Sequence, residues 1–446
     1  MEHKLIILGA GESGIGAALL GKQQGYDVFV SDGGIIKDNY KQELAVNQIS
    51  FEEGHHSWDI ILEANEIVKS PGIPEKSELM KKVREKGIPV ISEIELAYRF
   101  STGKKIIAIT GSNGKSTTTA LTYHIFKNAG LNVAMVGNIG ISYARQVATA
   151  PAEYYVIEIS SFQLDDIKDF KPNVAILLNI TPDHLDRYDY KMENYVASKF
   201  RIAINQTAED FFIYCMDDPE IMRHLAQQPI YSASIPFTIM KPLKEGGFIA
   251  NDQLHIDVNG EPVIMSMYDL SLKGKHNLYN SMAAAIAGRT MDIRNEKIRE
   301  SLTSFESLEH RMEYVTSVRG VDFINDSKAT NVNSVWFALE SFDKPIVLIM
   351  GGVDKGNDYD AIRDLVKEKV KAIICLGVDN TPIFAALSKD TPVMINTTSM
   401  HEAVQEAFKQ ATKGDIVLLS PACASFDLFK NYEDRGRKFK DEVKAL

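Results

Sequence analysis

Cysteine is scarce in this chain of 446 residues: Cys215, Cys375 and Cys423 are the only three, odd in number and far apart. No disulfide framework and no CxxC metal pattern can be built from them, which fits a reducing compartment. A basic excess is missing as well. Lys plus Arg is 49 against 60 for Asp plus Glu, a net charge of −11. That balance excludes a surface that coats nucleic acid, while leaving room for a local basic pocket that holds phosphates. No apolar run is long enough to span a bilayer, and the opening MEHKLIILGAGESG passes from a short strand into a glycine loop without a signal-peptide layout. The expectation is a cytoplasmic protein with no membrane insertion. Low-complexity segments and short-period repeats are absent too.

What is present is strand and helix in alternation, over three blocks, the pattern of an α/β protein with parallel sheets. The blocks are expected at 1–99, 100–305 and 306–446. The first runs from KLIILGAG through DVFVSD and IVKSPGI to IPVISEIELAY. After the polar bridge STGKK, the second carries IIAIT, YYVIEIS and VAILLNI, apolar runs of the kind buried on both faces. The third holds PIVLIMGG, AIICLG and DIVLLSPA, with helix-like stretches such as 399–412 between them. Within the middle block, GGFIANDQLHIDVNGEP alternates like a hairpin turning at Asn259-Gly260.

Six stretches carry chemistry. GAGESGIG, Gly9 to Gly16, fits GxGxxG between a strand and a helix, and Asp32 ends the next strand where a ribose-binding acid would sit. Amides at that helix start favour a pyrophosphate. NAD fits, any nucleoside diphosphate fits equally, and a turn needed only for tight packing is the plain alternative. GSNGKST, Gly111 to Thr117, is the stronger signal. Gly111, Ser112, Asn113 and Gly114 let consecutive amides curl around phosphate oxygens, Lys115 supplies a cation, Ser116 can ligate Mg²⁺, and Thr117 follows in the helix. Ile109 stands where the common phosphate loop has its first glycine, so this loop is tighter. ATP or GTP is the expected ligand.

Glu158 lies in VIEISSFQ, a run that reads as a buried central strand, where a carboxylate is costly unless paired or bound to metal. NITPDHLDRY places Asp183, His184, Asp186 and Arg187 just after another apolar strand, on the same sheet edge as the phosphate loop. Asn277 and Asn280 open an Ala-rich helix; their amides can read an adenine edge, yet on residue type alone helix capping is the better reading. Lys199, in NYVASKFRI, reads as an ordinary exposed helix lysine, and the pair His55-His56 reads as surface. Last, FINDSKATNVNS turns at once from an apolar run to a polar loop with Asp326 and Lys328, far along the chain from the phosphates.

TGSNGKST, EISSFQL, NITPDHLDRY, GKHNLYN, EHR and NDSKATN, in this order, resemble the Mur ligase family, over essentially the whole chain. NDSKATN together with LLSPACASFDLFKNYEDRG is similar to the D-glutamate-adding branch. The resemblance implies ATP-dependent amide-bond formation in bacterial cell-wall synthesis by a monomer whose substrates are UDP-N-acetylmuramoyl-L-alanine, D-glutamate and ATP, with two Mg²⁺. It implies a Rossmann-like N-terminal domain for UDP, a central phosphate-loop domain and a Rossmann-like C-terminal domain for the amino acid. It puts Lys115 on the γ-phosphate, Ser116 and Glu158 on one Mg²⁺, and His184 on the other together with Lys199, if that lysine is carbamylated. Asn277 and Asn280 are then expected at the adenine, Arg311 at an interdomain ATP contact and Asp326 at the ribose. Ser13, Asp32, Gly72 and Asn138 are expected at the UDP-sugar, although Asp32 is followed by Gly33-Gly34 where some relatives carry polar and basic residues. D-glutamate is expected against Lys328, Thr330, Lys355, Ser425, Phe426 and Tyr432.

Three readings compete with this one: an NAD-dependent dehydrogenase built on the first loop, a non-catalytic nucleotide sensor, and a sister ligase for another amino acid. The dehydrogenase leaves GSNGKST and Glu158 without a purpose, and the sensor leaves the third block unexplained.

Overall fold

A computed structural model describes residues 3–306, 308–342 and 344–446. The first sheet has five strands, β1 (Lys4–Leu8), β2 (Asp27–Asp32), β3 (Ser50–Glu53), β4 (Glu66–Lys69) and β5 (Val90–Ile91). All run parallel in the order β3-β2-β1-β4-β5. The order reverses at β1, so the crevice where such sheets bind ligands opens at the carboxyl end of β1 and β4. The short acidic strand β3 has no apolar run to announce it.

The second sheet has nine strands: β6 (Lys105–Thr110), β7 (Val133–Gly137), β8 (Tyr154–Glu158), β9 (Val174–Leu177), β10 (Phe211–Cys215), β11 (Ala233–Thr238), β12 (Gly246–Ala250), β13 (Gln253–Asp257) and β14 (Val263–Ser266). Their order is β14-β13-β12-β11-β10-β9-β6-β8-β7. From β7 to β12 the pairing is parallel; β13 and β14 extend the edge as an antiparallel meander. The expected hairpin exists, but its turn is not Asn259-Gly260. The β12–β13 turn is Asn251-Asp252, both residues at positive φ (51° and 58°), and Asn259-Gly260 (62° and 78°) joins β13 to β14 instead. Asn and Asp tolerate the left-handed region well enough to make both turns tight.

The third sheet holds β15 (Glu313–Val318), β16 (Val321–Asn325), β17 (Ile346–Gly351), β18 (Val370–Leu376), β19 (Met394–Thr397) and β20 (Ile416–Ala422), in the order β15-β16-β20-β17-β18-β19. Only β15 runs antiparallel. Central strands β17 and β20 are buried along their whole length, as parallel strands covered on both faces must be.

By contacts the chain forms two compact units. One runs to Leu270 and resumes over Tyr279–Phe305; the other joins Ser271–Leu278 to Glu306–Leu446. The first two sheets share a unit because their helices meet closely. Gly16, in the helix Glu12–Gln23, lies so near the helix Tyr143–Thr149 that a Cβ there would stand 1.9 Å from the Ser142 hydroxyl. Beside that contact Arg145 Nε donates to Glu12 at 2.7 Å and its outer nitrogens reach Glu43. A carboxyl oxygen of the buried Glu93 accepts from the Ala144 amide at the start of the same helix. Among the described residues no helix is long and apolar enough to cross a membrane.

Candidate active site

The phosphate loop emerges from β6, between β8 and β9, and leads into the helix Lys115–Asn128. Gly114, at φ +82°, is the helix N-cap, in a conformation that favours glycine. A Cβ there would also stand 2.4 Å from the Asn280 amide oxygen, so loop and asparagine fit against each other. Asn280 in turn accepts from the Thr118 hydroxyl at 3.1 Å.

The loop is held open by a residue the sequence motif does not contain. Asn179, just past β9, accepts from the Asn113 amide through its side chain at 2.8 Å and from the Ser112 amide through its carbonyl at 2.9 Å. Its own amide group donates back to Asn113 at 3.0 Å. Ser112 is further tied to Thr181 at 2.9 Å and to the Tyr195 hydroxyl at 3.0 Å. The NIT of NITPDHLDRY, read as the approach to a histidine, therefore shapes the phosphate loop. An asparagine directly after an apolar strand was the available signal.

Two lysines converge here. Lys115 Nζ donates to the carbonyls of Gly111 and Ser112 at 2.8 and 2.9 Å. Lys199 Nζ donates to the same Gly111 oxygen at 2.9 Å and lies 4.6 Å from the centre of the Tyr195 ring. Reading Lys199 as an exposed helix lysine is wrong: it is 1% exposed, because the helix Met192–Phe200 lays it beneath the phosphate loop. Burial, with the neighbouring Lys115 charge acting the same way, holds its amine well below the usual lysine range. A neutral buried amine is the form that can add CO₂ and become a carbamate.

Glu158 ends β8 and is 2% exposed. One of its oxygens accepts from Asn138 Nδ2 at 2.8 Å, while the other is buried without a hydrogen-bond partner. An orphaned carboxylate oxygen beside the strand that feeds a phosphate loop, whose first helical turn carries the buried Ser116 hydroxyl, is a donor type suited to a hard divalent cation. His184 differs in setting: it is about half exposed, sits at φ +52° and meets the Phe162 ring edge at 5.2 Å. Arg187 lies over the other side of this loop, 4.5 Å from the Phe162 ring, and donates to the Pro71 carbonyl at 3.0 Å, next to Gly72. A cavity of about 1020 Å³ opens beside Phe162 and Arg187, and no phosphate-loop residue lines it.

At the first glycine loop, Ser13 lies in the first turn of the helix Glu12–Gln23, and Gly72 is exposed after β4. Asp32 is already engaged with backbone, accepting from Ala10 at 2.6 Å and from Gly34 at 2.7 Å. His56 is not a bare surface histidine: it is half-buried, with Nδ1 2.7 Å from the Ser31 hydroxyl.

Neither Asn277 nor Asn280 stands at the N-cap position, since both lie inside the helix Lys275–Thr290. Asn277 donates to the Lys273 carbonyl at 2.8 Å. In the second unit, the loops after β16, β17 and β20 gather the remaining candidates. Lys328 Nζ stands 3.9 Å from the centre of the half-buried Tyr432 ring. Ser425 is buried, whereas Thr330, Lys355 and Phe426 are exposed. Arg311 and Asp326 lie in this unit too. Asp326 is 7% exposed; its oxygens accept from the Met312 amide at 3.2 Å and the Ser420 hydroxyl at 3.0 Å, and burial pushes its carboxyl up to about 7. Glu309, His310 and Glu313 could by spacing hold a metal, but Lys440 fills that place with its own cation, 2.5 and 2.9 Å from the two carboxylates.

Three family models match the chain: the Mur ligase MurD-like N-terminal domain over residues 3–92, the Mur ligase middle domain over 109–288, and the Mur ligase glutamate ligase domain over 310–423. The UDP-N-acetylmuramoylalanine–D-glutamate ligase of Christiangramia forsetii is 54% identical, with 100% of both chains covered. That of Bacteroides thetaiotaomicron is 53% identical over 99% of this chain and 100% of its own. Among solved structures, a UDP-N-acetylmuramate-alanine ligase from Thermotoga maritima superposes with a TM-score of 0.62 at 18% identity, covering 99% of each chain, a likeness of fold.

Proposed function

This chain belongs to the Mur ligase family, and from that premise we propose that it joins D-glutamate to UDP-N-acetylmuramoyl-L-alanine at the expense of ATP. The observation that supports the amino-acid choice is the end-to-end match, at 54% identity, to a ligase named for D-glutamate. The enzyme works as a cytoplasmic monomer in peptidoglycan precursor synthesis, with domains at 1–99, 100–305 and 306–446.

The terminal carboxylate of the acceptor attacks the γ-phosphorus of ATP, ADP leaves, and an acyl phosphate forms. The amine of D-glutamate then attacks the acyl carbon and phosphate departs, leaving an amide. Little of this needs covalent help from protein; it needs charge offset and alignment. Lys115 turns from its loop carbonyls to the γ-phosphate. Glu158 and Ser116 would hold one Mg²⁺, and His184 with a carbamylated Lys199 would hold a second; such ions would supply positive charge to offset that of the phosphates. Asn138 orients the Glu158 carboxylate. Asn277, Asn280, Arg311 and Asp326 serve the nucleoside of ATP, and Ser13, Asp32, Gly72 and Asn138 the UDP-sugar. Lys328, Lys355, Thr330 and Ser425 hold the D-glutamate carboxylates through charge-assisted and hydroxyl hydrogen bonds, flanked by Phe426 and Tyr432.

The test is phosphate release with ATP, Mg²⁺ and the acceptor, comparing D-glutamate with L-glutamate, L-lysine and diaminopimelate. Release that requires D-glutamate is the expected result. Release with another amino acid keeps the mechanism and overturns the substrate.

A further inference from the structure

Arg187 is half-buried, and its guanidinium is given to backbone and to a ring rather than to an acid. One terminal nitrogen donates to two carbonyls, Pro71 at 3.0 Å and Ile73 at 3.4 Å. Its central carbon stands 4.5 Å from the centre of the Phe162 ring. Asp189, two residues on, pairs with Lys76 at 2.6 Å instead. Hydrogen bonds from a guanidinium are charge-assisted, and its plane stacks on aromatic faces in a way that an ammonium does not.

This side chain joins two sheets of one compact unit. Pro71 and Ile73 belong to the loop 70–73 after β4, which leans on the first glycine loop. The Ser70 amide donates to the Leu8 carbonyl at 2.9 Å, and a Cβ on Gly9 would stand 2.6 Å from Ser70 Oγ. Gly72 brings no side chain and Pro71 no amide hydrogen, so the loop has few bonds of its own to fix its place. Arg187, at the other end, lies in the short turn Leu185–Tyr188 that follows His184, and its amide donates to the His184 carbonyl at 3.0 Å. Phe162 braces that turn. Its ring meets the His184 ring at 5.2 Å and stacks on the buried Tyr188 ring at 6.0 Å, while the Tyr188 hydroxyl donates to Asp165 at 3.0 Å.

We propose that Arg187 is a positioning residue for the acceptor. It holds the loop that carries Gly72 against the loop that carries His184, so that an acceptor laid on the first sheet presents its carboxylate to the phosphoryl group held on the second. The inference rests on the ligase reading above and adds a residue that acts through the Gly72 loop. Attack on phosphorus needs the reacting atoms about 3–3.5 Å apart and in line, and a displacement of about 1 Å can cost on the order of 100-fold in rate. A loop fixed by one charged side chain is where such a displacement would arise.

The experiment compares wild type with Arg187→Ala in three measurements: kcat for D-glutamate-dependent phosphate release, the acceptor Kd by calorimetry without ATP, and recovery of kcat with added guanidinium chloride below its unfolding range. In Arg187→Ala kcat should fall about 50-fold while the acceptor Kd stays within about 3-fold, because the first glycine loop is untouched. Guanidinium, seated between Phe162 and the two carbonyls, should restore part of kcat, and urea at the same concentration should not. Arg187→Lys, a second variant, reaches a carbonyl but cannot stack; it should lose about 5- to 10-fold in kcat and gain nothing from guanidinium. An arginine that merely stabilises the fold would not give a rescue confined to guanidinium and to the alanine variant. A kcat for Arg187→Ala within about 2-fold of wild type would overturn the inference. So would a loss that guanidinium leaves unchanged, or one matched by an equal rise in acceptor Kd. A wild type that releases no phosphate with D-glutamate and this acceptor would overturn the ligase reading, and this inference with it.

Discussion

Lys115 and Lys199 bring their side-chain nitrogens to one atom: both donate to the carbonyl oxygen of Gly111, at 2.8 and 2.9 Å. Burial, with the Lys115 charge acting in the same direction, depresses the pKa of Lys199, the more buried of the two. Lys115→Ala should lower ATP-dependent phosphate release by at least about 100-fold, the scale of losing a charge aimed at a transferring phosphoryl group. Normal turnover in this variant would remove Lys115 from the site.

Lys199 is predicted to act as a carbamate. Lys199→Ala should lose nearly all activity and recover part of it with short-chain carboxylic acids, which supply the missing carboxylate. Lys199→Arg cannot be carbamylated and should resist rescue. Incubation of the wild type with ¹³C-bicarbonate should show a carbamate carbon by NMR that both variants lack. A fully active Lys199→Ala would sink the assignment.

Glu158 and Asn138 form the next test. Glu158→Gln should raise the Mg²⁺ concentration for half-maximal activity by more than 10-fold, since a neutral amide replaces the anionic ligand. Asn138→Ala leaves the carboxylate charged but unoriented, and a rise of about 10-fold is expected, within the range for an outer partner of a metal ligand. Titration of activity with Mg²⁺ measures both, and equal values for wild type and Glu158→Gln would exclude that carboxylate.

Glu93 makes stability depend on pH. Burial raises its carboxyl from 4.5 to about 8, with the nearby Glu12 charge adding to the effect. The native state therefore binds a proton that the unfolded chain has released. This contribution is fully present below pH 4.5 and is lost as pH rises through about 8. Glu93→Gln retains a carbonyl for the Ala144 amide but does not ionise. Its stability relative to wild type should improve between pH 5 and pH 8 by something on the order of a few kcal/mol. Urea midpoints of both proteins at the two pH values check this, and parallel shifts would refute it.

Gly16→Ala tests the close approach of the two helices. The added methyl has no room beside Ser142 Oγ and the Arg145 backbone, so the helices must separate. A loss of about 1–3 kcal/mol is expected from such overpacking, read from the urea midpoint. A variant as stable as wild type would show that this contact is loose.

The sequence alone determined the parts that depend on a few adjacent residues. The phosphate loop Gly111–Thr117, the buried strands on either side of it, Glu158 at a strand end and the glycine turn before Ser13 are all legible because strand propensity, helix start and loop conformation are local properties. The family order of motifs, spread over the whole chain, was equally readable. Only the tertiary structure decided the rest. Lys199 looks exposed until its helix is laid under a carbonyl 88 residues earlier in the chain. Asn179 gains its purpose only because β9 lies beside β6, and Asn280 only because its helix passes the phosphate loop. His56 meets the Ser31 hydroxyl only because β3, which leads to it, pairs with β2. In each case the decisive energy is desolvation or a hydrogen bond between groups distant in sequence, and no pattern within either segment carries that information.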